Sequence, residues 1–138
     1  LVDSEVERID ASGTAVLTQG IDIANARLLF KNGCVANVTA SRISMKMERK
    51  MRLFRPSSYV SVDFQNRVLT KHRTGIREMF PGIPEIVTEE SVFESGDASL
   101  EEIRHFVRCI HRGENPLVSG EAGRRALATA IKIGELLH

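Results

Sequence analysis

Tryptophan is absent from this chain, and tyrosine occurs once, at Tyr59. A sheet that binds nucleic acid uses exposed rings as stacking platforms, so that class finds little support here. Cysteine occurs twice, at Cys34 and Cys109. Both read as small apolar residues buried in a reducing cytoplasm, and the expected location is cytoplasmic. Neither sign of charge dominates, since 19 Lys and Arg stand against 18 Asp and Glu. There is thus no global field demanding nucleic acid or an acidic membrane. No apolar run approaches the roughly 18 residues of a membrane-spanning helix, and no signal peptide is visible. Gly-x-Ser-x-Gly, paired cysteines and His-Glu-x-x-His are all missing, so the chain carries no complete catalytic constellation. The chain also opens without methionine, at Leu1-Val2-Asp3, as if inside an element. That points to a fragment.

What is present is an ordinary soluble composition, 42% apolar and 27% charged over 138 residues. That length suits a single domain, 1–138, able to bury a real core. Its most legible stretch runs from Asp22 to Ser44, two alternating segments hinged at Asn32-Gly33. A two-residue type I′ turn would pair Lys31 with Cys34 and mix apolar and polar residues on both faces. A type I turn centred on Lys31-Asn32, with Gly33 as a left-handed bulge, instead pairs Phe30 with Cys34 and separates the faces. One face then carries Phe30, Leu28, Ala26 and Ala24 opposite Cys34, Ala36, Val38 and Ala40, with Asp22 near Arg42 at the far end. The other carries Leu29, Arg27, Asn25 and Ile23 opposite Val35, Asn37, Thr39 and Ser41. The bulged register is expected, because a one-residue slip destroys a nearly all-apolar face.

Around the hairpin, Glu5 to Leu17 reads as a leading strand. Lys50 to Arg55, a Pro56-Ser57-Ser58 turn, Tyr59 to Phe64, and Arg67 to His72 read as further strands. Thr74 to Pro84, rich in glycine and proline, reads as a loop, and Glu85 to Phe93 as a last strand. The period then becomes helical. Ser99 with Glu102 forms a capping box before the stripe Leu100, Ile103, Phe106, Val107 and Ile110, which Gly113 ends. Ser119 caps a second helix whose ridge of Ala122, Ala126, Ala130 and Gly134 should let it sit close to a neighbour, with Leu127, Ile131 and Leu137 beside it. The expected class is α+β: an open, largely antiparallel β-sheet with helices packed on one face.

Chemistry is sparse. Arg42, Lys46, Arg49, Lys50, Arg52 and Arg55 crowd one stretch against a single acid, Glu48. Two readings stay open there, a solvated sheet edge and an anion site for phosphate or carboxylate. Gly120-x-x-Gly123 does not follow a strand of a βαβ unit, so it reads as a capped helix start and not as a dinucleotide fingerprint. His105 and Cys109, four apart on a helix, lack a third metal ligand, and ordinary packing accounts for them.

The hairpin DIANARLLFKNGCVANVTASRIS, the ERKMRLF and YVSVDF strands, and the closing SLEEIRHFVRCIHRGENPLVSGEAGRRALATAIKIGEL together resemble the C-terminal domain of the Gfo/Idh/MocA family (glucose-fructose oxidoreductase, inositol dehydrogenase and rhizopine catabolism proteins). The resemblance covers nearly the whole chain. It implies a substrate-binding and dimerisation domain of an NAD(P)-dependent enzyme acting on a sugar or nucleotide sugar. The N-terminal Rossmann domain of that family holds NAD or NADP and supplies the lysine of a Glu-Lys-Pro motif. An Asp-x-x-x-His motif follows on a junction helix, of which Leu1-Val2 resembles the tail. None of these motifs is in this chain, so no catalytic residue is assigned to it, and alone it should be inactive. Ser41 and Arg42 match the family's Ser-Arg at the end of the hairpin. The following Ser44-Met45-Lys46-Met47-Glu48-Arg49 is shorter than the tyrosine-rich run of inositol dehydrogenases and lacks tyrosine, a departure that argues against inositol and is more like relatives acting on nucleotide sugars. Arg42, Lys46 and Arg49 are therefore the expected substrate contacts. The mixed hairpin face of Asn25, Arg27, Leu29, Val35, Asn37 and Thr39 is the expected homodimer interface. The competing reading is a stand-alone homodimerisation module without catalytic activity.

Overall fold

The hairpin takes the bulged register. In the computed structural model, which describes residues 2–137, strand β2 (Ile23–Phe30) pairs antiparallel with β3 (Val35–Ser41), Leu28 facing Ala36 and Leu29 facing Val35. The Phe30 N–H donates to the Cys34 carbonyl and the Gly33 N–H to the Phe30 carbonyl, both at 2.9 Å. Gly33 has φ +82, the left-handed conformation that glycine adopts without a Cβ penalty. A Cβ there would meet nothing within 4 Å. Gly33→Ala is therefore expected to cost about 1 kcal/mol from backbone strain alone. A denaturation midpoint equal to wild type would contradict this.

The structure comprises two compact units, residues 1–45 with 105–138, and residues 46–104. In the first, β1 (Val6–Thr14), β2 and β3 form an antiparallel sheet in that order. β1 stops at Thr14, short of the expected Leu17, because the next residues turn to give their amides to Asp22. One face of the sheet is built from small residues, with Gly13, Ala24 and Ala40 in one row and Ala11, Ala26 and Val38 in the next. Ala26 and Leu28 on this face are buried. Helix α2 (Gly120–Glu135) packs on β1. Small side chains let backbones approach, and here the smallest is Gly13, whose Cβ position lies 3.1 Å from the Leu137 side chain.

The expected packing ridge of α2 is corrected by this arrangement. Ala126, Ala130 and Gly134 are exposed, as are Leu127 and Ile131. The partly covered positions are Ala122, Thr129, Ile133 and Leu137. The helix presents the neighbouring stripe because Leu137, just past its end, must seat over Gly13.

The second unit holds an antiparallel sheet of order β4-β5-β6-β7, comprising β4 (Lys50–Arg55), β5 (Ser58–Asp63), β6 (Val68–Phe80) and β7 (Ile83–Val92). The strands thus divide between two sheets, within the expected α+β class. The loop expected over Thr74 to Pro84 is instead the far end of a long hairpin. Phe80 faces Ile83 across a Pro81-Gly82 turn, with Gly82 at φ +80. Proline then glycine suits a tight turn, and Pro84 costs no ladder bond when β7 is an edge strand. Two register shifts, flanking Glu78, absorb the irregular Gly75 region.

Helix α1 (Ala98–Arg112) is capped by Asp97, whose carboxylate accepts the Leu100 N–H at 3.1 Å. The expected Ser99 cap lies two residues too late, inside the helix. Gly113 ends α1 at φ +64, with the Glu114 N–H reaching the Cys109 carbonyl and the Gly113 N–H the Ile110 carbonyl. That is the left-handed glycine stop expected from the sequence. The Ser119 hydroxyl accepts the Ala122 N–H, as expected of an N-cap. The reading of Leu1-Val2 as the tail of a helix falls partly on Leu1, outside the described residues, while Val2 is in no helix.

Candidate functional site

The centre of the first unit's candidate site is Asp22, just before β2. Its side chain is fully buried, which for a carboxylate is tolerable only when every lone pair is used. One oxygen, Oδ2, accepts the N–H groups of Val16, Leu17 and Thr18 at 2.9, 2.7 and 2.8 Å. The other, Oδ1, accepts the Thr18 hydroxyl at 2.8 Å. The Thr18 amide, followed by those of Val16 and Leu17, holds the Asp22 carboxyl far below the usual carboxylate range. The segment before Asp22 is thereby wrapped around a fixed negative charge.

That charge faces Arg42. The Arg42 N–H donates to the Asp22 carbonyl at 3.0 Å, and its guanidinium Nε lies 3.8 Å from Asp22 Oδ1. The Arg42 side chain remains 67% exposed. Beside it the Ser41 hydroxyl accepts the Ile43 N–H at 3.3 Å and fixes the chain's exit from β3. Ser41, Arg42 and Asp22, with Ile21, Ala24, Ala40 and Leu137, line a pocket of about 430 Å³. An exposed arginine loosely paired with a buried carboxylate, at a pocket otherwise lined largely by small and apolar side chains, is disposed to take an anion.

Lys46 and Arg49, the other expected substrate contacts, belong to the second unit. Lys46 Nζ is paired with Glu48 Oε1 at 2.9 Å, which lowers the Glu48 carboxyl and raises the Lys46 ammonium from their usual values. Lys50 shares Glu48 at 3.4 Å and reaches Asp63 at 3.7 Å. Arg49 is exposed and makes no ion pair among the described residues. Of the cations from Lys46 onward in this stretch, Lys46 and Lys50 are engaged with acids, while Arg49, Arg52 and Arg55 make no ion pair among the described residues.

The mixed hairpin face forms a polar ladder. Arg27 Nη1 donates to Asn37 Oδ1 at 3.1 Å, and the Thr39 hydroxyl donates to Asn25 Oδ1 at 2.8 Å. Leu29 and Val35 face each other at one end of the same surface. Its polar groups thus satisfy one another in cross-strand pairs while remaining exposed.

His105 and Cys109 come together, but around a loop. His105 Nε2 accepts the Leu117 N–H at 3.1 Å and lies 3.5 Å from the buried Cys109 thiol, which reaches the Asn115 carbonyl at 3.8 Å. Accepting that amide places the ring proton on Nδ1. This is the packing reading of the pair, tying the end of α1 to the segment before α2. Gly120 and Gly123 open α2, and every strand pairing is antiparallel. The described residues therefore contain no βαβ unit to cradle a dinucleotide, and no step through one is derived from them.

Two groupings escaped the sequence reading. One is the amide cage of Asp22, for which the only local signal was a threonine four residues before an aspartate, across Gln19-Gly20. The other is a stack of three rings in the second unit. Phe54 and Tyr59 have centroids 4.8 Å apart, and Tyr59 and His72 5.0 Å, with planes within 10°. A two-residue Pro56-Ser57 turn would have placed Phe54 opposite Tyr59.

No family model matches the sequence. The chain is 36% identical over 133 residues, 96% of its length, to a UDP-N-acetylglucosamine 3-dehydrogenase from Acidithiobacillus ferrooxidans. It spans 42% of the length of that curated relative. Two crystal forms of the same dehydrogenase superpose with TM-scores of 0.87 and 0.83, at 35% and 32% identity over 97% of this chain and 42% and 41% of theirs. An aldose-aldose oxidoreductase from Caulobacter crescentus shares the fold, with a TM-score of 0.71 at 20% identity, over 96% of this chain and 39% of its own.

Proposed function

From a chain that is a C-terminal domain of the Gfo/Idh/MocA oxidoreductase family, we infer a substrate-binding and self-association part of an NAD(P)-dependent dehydrogenase that acts on a nucleotide sugar. The observation that carries this reading is Arg42, exposed at the edge of a pocket and ion-paired with the buried Asp22 carboxylate. The similarity to an enzyme named for UDP-N-acetylglucosamine supports an anionic sugar nucleotide as the ligand class. When bound, NAD or NADP supplies the hydride acceptor or donor for a sugar carbon. This chain's residues bind and orient the substrate: the free guanidinium nitrogens of Arg42 meet an anionic oxygen, and in the second unit Lys46 and Arg49 are further proposed substrate contacts. Self-association uses the polar ladder of Asn25, Arg27, Asn37 and Thr39, flanked by Leu29 and Val35. Alone, the chain is inactive.

In an NMR titration of the chain with UDP-N-acetylglucosamine, the Ser41 and Arg42 amides should shift on binding. Arg42→Ala should weaken that binding by roughly tenfold or more, the worth of one charge-assisted hydrogen bond. Binding of equal strength in wild type and Arg42→Ala would remove the central residue of the proposal. Sedimentation at tens of micromolar tests the self-association, and a monomer would count against it.

A further inference from the structure

The ring stack of the second unit is open at one end only. Phe54, Tyr59 and His72 are register partners on β4, β5 and β6, so the stack runs across the strands. At the inner end, His72 Nδ1 meets the Thr88 hydroxyl on β7 at 2.9 Å and the row is closed by a polar contact. At the outer end, β4 is the edge of the sheet. Among the described residues no strand of that sheet lies beyond β4, and Phe54 is 75% exposed.

Three rings with planes within 10° and centroids near 5 Å repeat the offset-stacked geometry that aromatic faces prefer. The next position in the series, beyond Phe54, is vacant of protein within the sheet. Beside the row runs a groove of about 420 Å³, lined by Phe54, Arg55, Ser57, Ser58 and Tyr59, by His72 and Thr74 on β6, and by Ile86 on β7. Arg73 also lines it but is tied to Glu89 at 3.3 Å. Arg55 makes no ion pair among the described residues and is the available cation. A flat ring inserted against Phe54 would extend the stack, with serine hydroxyls and an arginine near it.

We propose that Phe54 is a stacking platform for a nucleobase, and that the groove beside it takes the base of a mononucleotide. The proposal rests on the nucleotide-sugar reading above for its ligand class and concerns the second unit by itself. Base-on-aromatic stacking tolerates any base, so selectivity would come from the groove's hydroxyl and guanidinium donors.

The test uses UDP, ribose 5-phosphate and an oligouridylate as probes on the whole chain. Tyr59 is the only tyrosine and tryptophan is absent, so intrinsic emission reports the middle ring, alongside NMR shifts at Phe54 and Tyr59. UDP should bind and perturb both, and ribose 5-phosphate should not. Phe54→Ala should weaken UDP by roughly five- to one-hundred-fold, the worth of one stack, while Phe54→Trp should bind at least as tightly as wild type. Equal binding of UDP and ribose 5-phosphate, or undiminished UDP binding by Phe54→Ala, would overturn the platform. Much tighter, steeply salt-dependent binding of the oligouridylate would make this an RNA surface instead. A shift to a smaller sedimenting species in Phe54→Ala would make it a contact between copies. If UDP-N-acetylglucosamine shifts Ser41 and Arg42 but leaves Phe54 unmoved, the platform alone fails. If it shifts neither, the nucleotide-sugar reading itself fails.

Discussion

Asp22→Ala should lower the unfolding midpoint of the chain by on the order of 10 °C, among the largest effects of any single substitution outside its apolar residues. Among the described residues no other side chain gathers the amides of Val16, Leu17 and Thr18, and the same group is paired with Arg42. Its loss releases the segment 15–20 and leaves the guanidinium unanchored. Arg42 function should fall with it, so nucleotide-sugar binding should weaken in Asp22→Ala even at temperatures where the fold persists. Thermal melts of the two proteins in one buffer decide the first point, and an unchanged midpoint would mean the cage contributes nothing.

The pH dependence has a definite sign. The folded carboxyl of Asp22 is depressed by its amide partners, whereas in the unfolded chain it titrates near the ordinary aspartate value of about 3.9. Below that value the unfolded state binds a proton that the folded state resists, so stability falls as pH falls. The contribution is fully present above the unfolded value and is lost as pH drops toward the folded one. Asp22→Asn should therefore flatten the acid limb of a stability profile between about pH 5 and pH 2, while leaving its shape above pH 6 unaltered.

Elements governed by near neighbours were legible. The bulged hairpin followed from Asn32-Gly33 and from the cost of mixing its faces, and its far end did bring Asp22 to Arg42. Gly113 and Ser119 marked helix ends because each uses conformations and bonds available within a few residues. The stretch from Thr74 to Pro84 was misread because its glycines and prolines punctuate a loop and an edge hairpin alike. What distinguishes them is the β6 partner, which Ile83 and Pro84 find across a two-residue turn. Asp97 displaced Ser99 as the α1 cap for a related reason, since two short polar residues compete for one role and the earlier one lengthened the helix by two residues. Beyond such local chemistry, the facing of α2 depends on what lies opposite, and a stripe of alanines does not say which strand will accept it. The site was half legible: Arg42 stood out as a charge, but the cage that fixes it depends on a turn whose residues have no distinctive pattern.

Gly13→Val tests the facing of α2 most directly. A Cβ at Gly13 would sit 2.9 Å from Ile21 Cγ2, 3.1 Å from the Ile23 carbonyl oxygen and 3.1 Å from Leu137 Cδ2. Side-chain ends can turn away, but the carbonyl belongs to the paired strand β2 and cannot move without breaking its ladder. Valine adds two methyl groups to that crowding, and overpacking of this kind costs typically about 1–3 kcal/mol. The loss should appear as a lower denaturation midpoint together with faster amide exchange in α2, because Leu137 is lifted off β1. Gly134→Ala supplies the opposite control. On the expected small-residue ridge it would have been a clash, but a Cβ there meets nothing within 4 Å, so the substitution should be neutral or gain up to about 1 kcal/mol in helix propensity. If Gly134→Ala destabilised the chain and Gly13→Val did not, the helix would be packing by its alanine ridge and not through Leu137 over Gly13.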